Sequence, residues 1–286
     1  MKIDFKIMIA VIILLLFILI TIGNKSMFSK WFTKKENFGP VLKQPDPASG
    51  IKILFLHHST GRNIWDKGVL GWFTSYNAEN NVNYAIVEQN FPKKSLYGWN
   101  NYPFDYWNIW VNHAGENPYR EEPTLEMISK SYDLVIWKHC YPVGKILDDT
   151  GKPNVTSDIK SLENYKIQYN ALREKMMQFP ETKFLVWTIP ALTAQKTSKD
   201  MASRTKDFYS WVKNTWDQKG DNIYLWDFYE LETEGGLYLK AEYARGPEDS
   251  HPNEHFSEKI APFFCQRIVD VIEGRGDESH ITGKKQ

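Results

Sequence analysis

The chain has 286 residues, and 35 Lys plus Arg balance 35 Asp plus Glu. That length allows one large domain or two small ones, and zero formal charge excludes a protein held to nucleic acid mainly by phosphate neutralisation. A 42% hydrophobic, 24% charged composition is globular rather than disordered, and two cysteines, Cys140 and Cys265, exclude a disulfide-dense scaffold or a four-thiolate zinc site.

The two cysteines are expected as buried small hydrophobes, with one disulfide as the alternative. Residues 7–23 (IMIAVIILLLFILITIG) carry no charge. A helix of that length, at about 1.5 Å per residue, nearly spans a hydrocarbon layer of about 30 Å. Residues 1–35 are therefore expected to hold a single-pass membrane anchor with the following domain extracytoplasmic. A cleaved signal peptide and secretion is the alternative. Residues 36–50 (ENFGPVLKQPDPASG), with three Pro and two Gly, are expected as a linker. The folded domain is placed at 51–273, and the polar tail 274–286 is expected to be loose.

Within the domain, short apolar runs alternate with helix-period stripes. Strands are expected at 51–56 (IKILFL), 82–87, 134–137 (LVIW), 184–189 (FLVWTI) and 223–226 (IYLW). Helices are expected around Ile64 to Phe73, over 123–131, over 157–179 with Ser157 and Asp158 at its start, over 201–215, and over 256–272. Near-continuous apolar strands separated by helices imply an α/β fold with a mostly parallel five-stranded sheet covered on both faces. Active groups in such sheets gather at the carboxyl ends of the strands.

Two motifs stand at such places. The first strand runs into His57-His58-Ser59-Thr60-Gly61. A Ser at a strand-to-helix turn either caps the helix or presents its hydroxyl as a nucleophile beside the helix amides. Near the other end, Glu248-Asp249-Ser250-His251-Pro252-Asn253 precedes the closing helix. An acid two or three residues before a His can orient the imidazole and leave its other nitrogen as a base. Pro252 discourages helix at His251 and suggests a loop.

Taken together, a first-strand Ser and a late acid-x-His-Pro segment resemble the SGNH (GDSL-like) hydrolase superfamily, over about residues 51–270. The resemblance implies a three-layer, flavodoxin-like α/β/α fold and acyl transfer by a serine. Ser59 stands where that superfamily carries its nucleophile, His251 where it carries its base, and Asp249, with Glu248 as the alternative, where it carries the acid. Gly98 best matches the position whose amide joins the oxyanion hole. The superfamily's Gly-x-Asn-Asp motif is replaced by Lys138-His139-Cys140-Tyr141-Pro142. The side-chain oxyanion donor is thus missing, with His139, Lys138 or Tyr141 as substitutes.

Residues 96–111 (LYGWNNYPFDYWNIWV) hold three Trp, three Tyr and one Phe. Such rings either pack a long loop onto the sheet or offer flat faces to sugars. The expected activity is a serine esterase removing O-acyl groups, acetyl in particular, from a carbohydrate. The alternatives are an O-acetyltransferase acting on an envelope glycan and a membrane-tethered glycan-binding module. No metal or cofactor is expected: neither G-x-x-x-x-G-K-S/T nor G-x-G-x-x-G occurs, and His251-Pro-Asn-Glu-His255 is not the H-E-x-x-H zinc motif. The expected partners are an ester substrate and the membrane, with no nucleic acid.

Overall fold

The computed structural model describes residues 41–285, apart from 47, 49, 94, 95 and 99. The proposed membrane span at 7–23 lies outside the described residues. Among the described residues no helix is long and apolar enough to cross a membrane.

Five parallel strands form the sheet: β1 (Ile51–His57), β2 (Tyr84–Asn90), β3 (Leu134–Trp137), β4 (Lys183–Trp187) and β5 (Ile223–Trp226), in the order β2-β1-β3-β4-β5. The apolar runs form strands because both faces are covered; Ile53, Leu54, Phe55 and Leu56 have no exposed surface. On one face lie α1 (Ser59–Trp65), α2 (Val69–Asn80) and α8 (Glu254–Ile272); on the other lie α3 (Pro103–Trp107), α5 (Leu162–Met176) and α6 (Lys199–Trp211). Two short helices, α4 (Leu125–Ser129) and α7 (Phe228–Thr233), fill connections. The α/β/α architecture expected from the sequence is present.

Each face has its own aromatic core. Phe55 stacks on Trp187 at 5.2 Å and meets Phe264 of α8 at 5.0 Å. On the opposite face Trp137 meets Tyr106 at 5.0 Å, Trp110 at 5.9 Å and Tyr169 of α5 at 5.7 Å. Truncating one of these rings to Ala is worth roughly 3–5 kcal/mol.

Several expectations are corrected. The first helix is broken into α1 and α2 at Gly68, whose φ of +90° an L side chain rarely adopts. The helix expected from Ser157 starts only at Leu162: Ser161 caps it, and Leu147 pairs with Ser161 in an extended bridge. Of the linker expected at 36–50, residues 36–40, 47 and 49 lie outside the described residues, and the rest is not free. Leu42 is buried in the core, and the Gln89 side chain bonds Lys43 N at 2.9 Å and Val41 O at 2.9 Å.

The tail is not loose either. Buried Arg267 donates to Gly276 O at 2.7 Å and Ser279 Oγ at 2.8 Å, and Trp226 Nε1–H donates to Thr282 O at 3.0 Å. A buried guanidinium needs such acceptors, and the tail supplies them. Both cysteines are free and buried, so the disulfide alternative fails.

Candidate active site

The strand order places a switch point between β1 and β3: the chain leaves β1 for β2 on one side and returns to β3 on the other. Clefts open at the carboxyl ends of strands at such points. Ser59 follows β1 and Cys140 follows β3, so both stand there.

β1 ends at His57, His58 is the extended N-cap, and Ser59 opens α1. The turn is tight enough to dictate Gly61, because a Cβ at that position would lie 2.4 Å from His57 Cβ and 3.0 Å from the Phe55 ring. His57 is held behind the turn, with Nδ1 2.9 Å from His58 O and Nε2 3.1 Å from Glu88. That contact, chiefly, pulls the Glu88 carboxyl down to about 2, and the Lys43 ammonium helps.

The acid and the imidazole arrive on a hairpin of β6 (Ala244–Gly246) and β7 (Asp249–Pro252). The loop expected at His251 is therefore a strand. Its two-residue period sends Asp249 and His251 to one side and buries Ser250 and Pro252 on the other. Ser250 Oγ anchors the buried side by accepting Thr193 N–H at 3.0 Å. Asn253 ends the hairpin by capping α8 and by donating to Glu242 O at 2.8 Å.

This brings together residues 192 positions apart in the chain. His251 Nε2 lies 2.8 Å from Ser59 Oγ, and His251 Nδ1 lies 2.5 Å from Asp249 Oδ1. The carboxylate can only accept, so Nδ1 carries the proton and Nε2 is free to accept from the serine hydroxyl. The same Oδ1 also accepts the His251 backbone N–H at 3.0 Å. Burial pushes the Asp249 carboxyl up, but the bonds from His251 outweigh it and hold the group below the usual carboxylate range. Glu248 does not take part: its side chain is 74% exposed and faces Lys196 at 3.7 Å. The Tyr141 ring meets the His251 ring edge to face at 4.8 Å.

The residues after β3 divide by face. His139 points to the α5 side, against Tyr106 and Tyr169, and its Nδ1–H donates to Asn101 O at 2.8 Å. Burial drops its pKa to about 3, and the ring is turned away from the Ser59 side. This corrects its expected place beside the nucleophile. Lys138 and Cys140 point to the other face. Cys140 Sγ lies 3.8 Å from Ser59 Oγ, and Lys138 Nζ donates to that sulfur at 3.5 Å. Gly98 has a φ of +101° in the loop before α3, and no described hydrogen bond ties it to Ser59.

Asn101, which the sequence reading missed, links the two loops. Its Oδ1 accepts Cys140 N–H at 2.6 Å and its Nδ2 donates to Phe91 O at 3.0 Å. No spacing signal marks it. Part of the aromatic segment packs as core, with Tyr106 and Trp110 fully buried and Trp107 nearly so, while Tyr97, Tyr102 and Phe104 are half-buried. Tyr106, Ile109 and Trp110, at spacings of three and four, were a legible helix stripe. Among the described residues no three His, Cys, Asp or Glu side chains group as a metal site.

No protein-family model matches the sequence, and no curated protein matches it. Among solved structures the chain is similar to an acetyl xylan esterase, at 14% identity and a TM-score of 0.46, with 74% of this chain and 96% of that one covered. It is also similar to a gut microbial diltiazem-metabolizing enzyme, at 10% identity and a TM-score of 0.46, with 83% of this chain and 49% of that one covered. The chain thus spans about half the length of the second protein, and both likenesses are too distant to bear on function.

Proposed function

We propose that the protein is a serine ester hydrolase of SGNH type with Ser59 as nucleophile, His251 as general base and Asp249 as its orienting acid. The single observation that carries this reading is the continuous line from Ser59 Oγ to His251 Nε2 at 2.8 Å and from His251 Nδ1 to Asp249 at 2.5 Å. A helix cap would not require an imidazole backed by a carboxylate on a separate hairpin.

In the first half-reaction His251 Nε2 takes the Ser59 proton while Oγ bonds to the ester carbonyl carbon. The carbonyl π pair moves onto oxygen. The first-turn amides of α1, which have no intrahelical acceptor, are the donors we assign to that oxyanion, together with the Gly98 amide. The intermediate collapses, the bond to the alcohol oxygen breaks, and the proton on His251 goes to that oxygen. Water then repeats the sequence on the acyl-serine, giving its proton to His251 and releasing the acid. Asp249 stabilises the imidazolium in both steps.

The substrate class this supports is an ester of a small acyl group, since Cys140 and Tyr141 crowd the nucleophile and its base. For the carbohydrate alcohol expected from the aromatic segment, Tyr106, Trp107 and Trp110 are in the core and only the half-buried Tyr97, Tyr102 and Phe104 present ring surface among the described residues. O-acetylated carbohydrate is therefore one arm of the test. The described domain is assayed on p-nitrophenyl acetate, butyrate and octanoate and on acetylated xylan. Hydrolysis of the acetyl esters that disappears in Ser59→Ala supports the proposal; equal hydrolysis in that variant overturns it.

A further inference from the structure

Lys138 has no ordinary reason to be where it is. It stands one residue past β3, at the carboxyl edge of the central strand, and has no exposed surface. An ammonium in that setting is unfavourable unless paired. Among the described residues no carboxylate lies within ion-pair distance of it. Its Nζ instead donates to Cys140 Sγ at 3.5 Å and sits 5.5 Å over the Trp187 ring. The sulfur it bonds is the atom 3.8 Å from the Ser59 hydroxyl. The two contacts put the ammonium within about 7 Å of the nucleophile, in a site where charge is poorly screened.

We propose that Lys138, acting through Cys140, is an electrostatic positioning residue for Ser59: its ammonium stabilises the negative charge that builds at the reaction centre during acyl transfer. The inference rests on the serine-hydrolase reading above. Two donor places after β3 are taken up elsewhere. His139 points to the other face, and the Cys140 backbone N–H is taken by Asn101. With Nζ–H on a sulfur lone pair, the Cys140 thiol hydrogen is free to point toward Ser59 and the oxyanion. A unit charge at about 7 Å in an effective dielectric near 20 is worth about 50-fold in rate.

The groups facing Lys138 set its titration. They are Glu232 of α7, His57 and His58 at the end of β1, and His139 and Cys140 beside it. Burial lowers the lysine from its ordinary value, and Cys140 and Glu232 restore only part of the shift. As pH rises through that lowered value the ammonium is lost and its stabilisation goes with it. The wild type should therefore show an alkaline fall in kcat below the ordinary lysine range.

The test uses Lys138→Met and Lys138→Arg with p-nitrophenyl acetate over about pH 6 to 10. Lys138→Met should lose about 50-fold in kcat with KM unchanged and show no alkaline fall. Lys138→Arg, charged throughout, should keep more of kcat and also lose the fall. A folded Lys138→Met with kcat within threefold of wild type overturns the inference. Should neither variant fold, a wild-type kcat that stays level up to about pH 10 overturns it. The two readings fail separately: a wild type that is inert or insensitive to Ser59→Ala sinks the hydrolase, whereas an active wild type matched by Lys138→Met sinks only the role of Lys138.

Discussion

Replacing Asp249 by Asn separates the two acids that the sequence left open. The His251 backbone N–H bonds the same Oδ1 and needs an acceptor there, which turns the amide oxygen rather than the amide nitrogen toward Nδ1–H, so the tautomer is kept and what is lost is the charge. With Nδ1 and Oδ1 2.5 Å apart, the charge centres of imidazolium and carboxylate are about 4 Å apart. Their attraction is about 4 kcal/mol at an effective dielectric near 20 and about 1 kcal/mol in water. The Asp249 side chain is 43% exposed, which places it between those limits, so about 2 kcal/mol is the reasoned value. That is a loss of about 30-fold in kcat, far less than a buried triad acid would give. Glu248→Gln, at an exposed carboxylate paired among the described residues only with Lys196, should change kcat less than twofold. Steady-state hydrolysis of p-nitrophenyl acetate at neutral pH measures both. Asp249→Asn within twofold of wild type, or Glu248→Gln falling as far as Asp249→Asn, would refute the assignment.

Two further predictions concern the supports of the site. Asn101→Ala strips the partner from the buried Cys140 N–H and leaves Phe91 O with only the longer bond from Tyr106 Oη at 3.4 Å, and should cost roughly 1–3 kcal/mol, read as a lower urea midpoint with an unchanged slope. Glu122 is buried, accepts Lys93 N–H, and is pushed up to about 7 by burial. Between its ordinary value and about 7 the folded state holds a proton that the unfolded state has lost, so this group's contribution to stability falls as pH rises through that window. Glu122→Gln should therefore raise the melting temperature more at pH about 8 than at pH about 5. A gain that is the same at both, or larger at the acid end, would contradict the assignment.

The strands and the two chemical motifs were legible because each rests on local pattern. Ile53 to Leu56 and Leu134 to Trp137 are unbroken apolar runs, and a parallel sheet buries both faces of such runs. Ser59 and His251 were legible because a strand-to-helix turn and a segment before the last helix both belong at the carboxyl edge. Asp249 is preferred to Glu248 in the sequence only as the superfamily's usual acid; what separates them in the structure is the β6–β7 hairpin, which fixes which residues share a face with His251. The helix start at Leu162 was hidden by the bridge from Leu147, a partner 14 residues away that no local propensity reveals. Lys138 was legible as a substitute oxyanion donor after β3, but its complete burial was not, because that follows from tertiary packing. The docking of the tail depends on Arg267, whose burial likewise follows from tertiary packing.

The most direct measurement is reaction of the folded protein with a fluorophosphonate probe, followed by peptide mapping. A serine becomes reactive toward that probe only when a base activates it and nearby donors hold the developing negative charge. The geometry requires one adduct, on Ser59, that is lost in His251→Ala while the fold persists. An unlabelled folded protein, or an adduct on another serine that His251→Ala leaves unchanged, would contradict it.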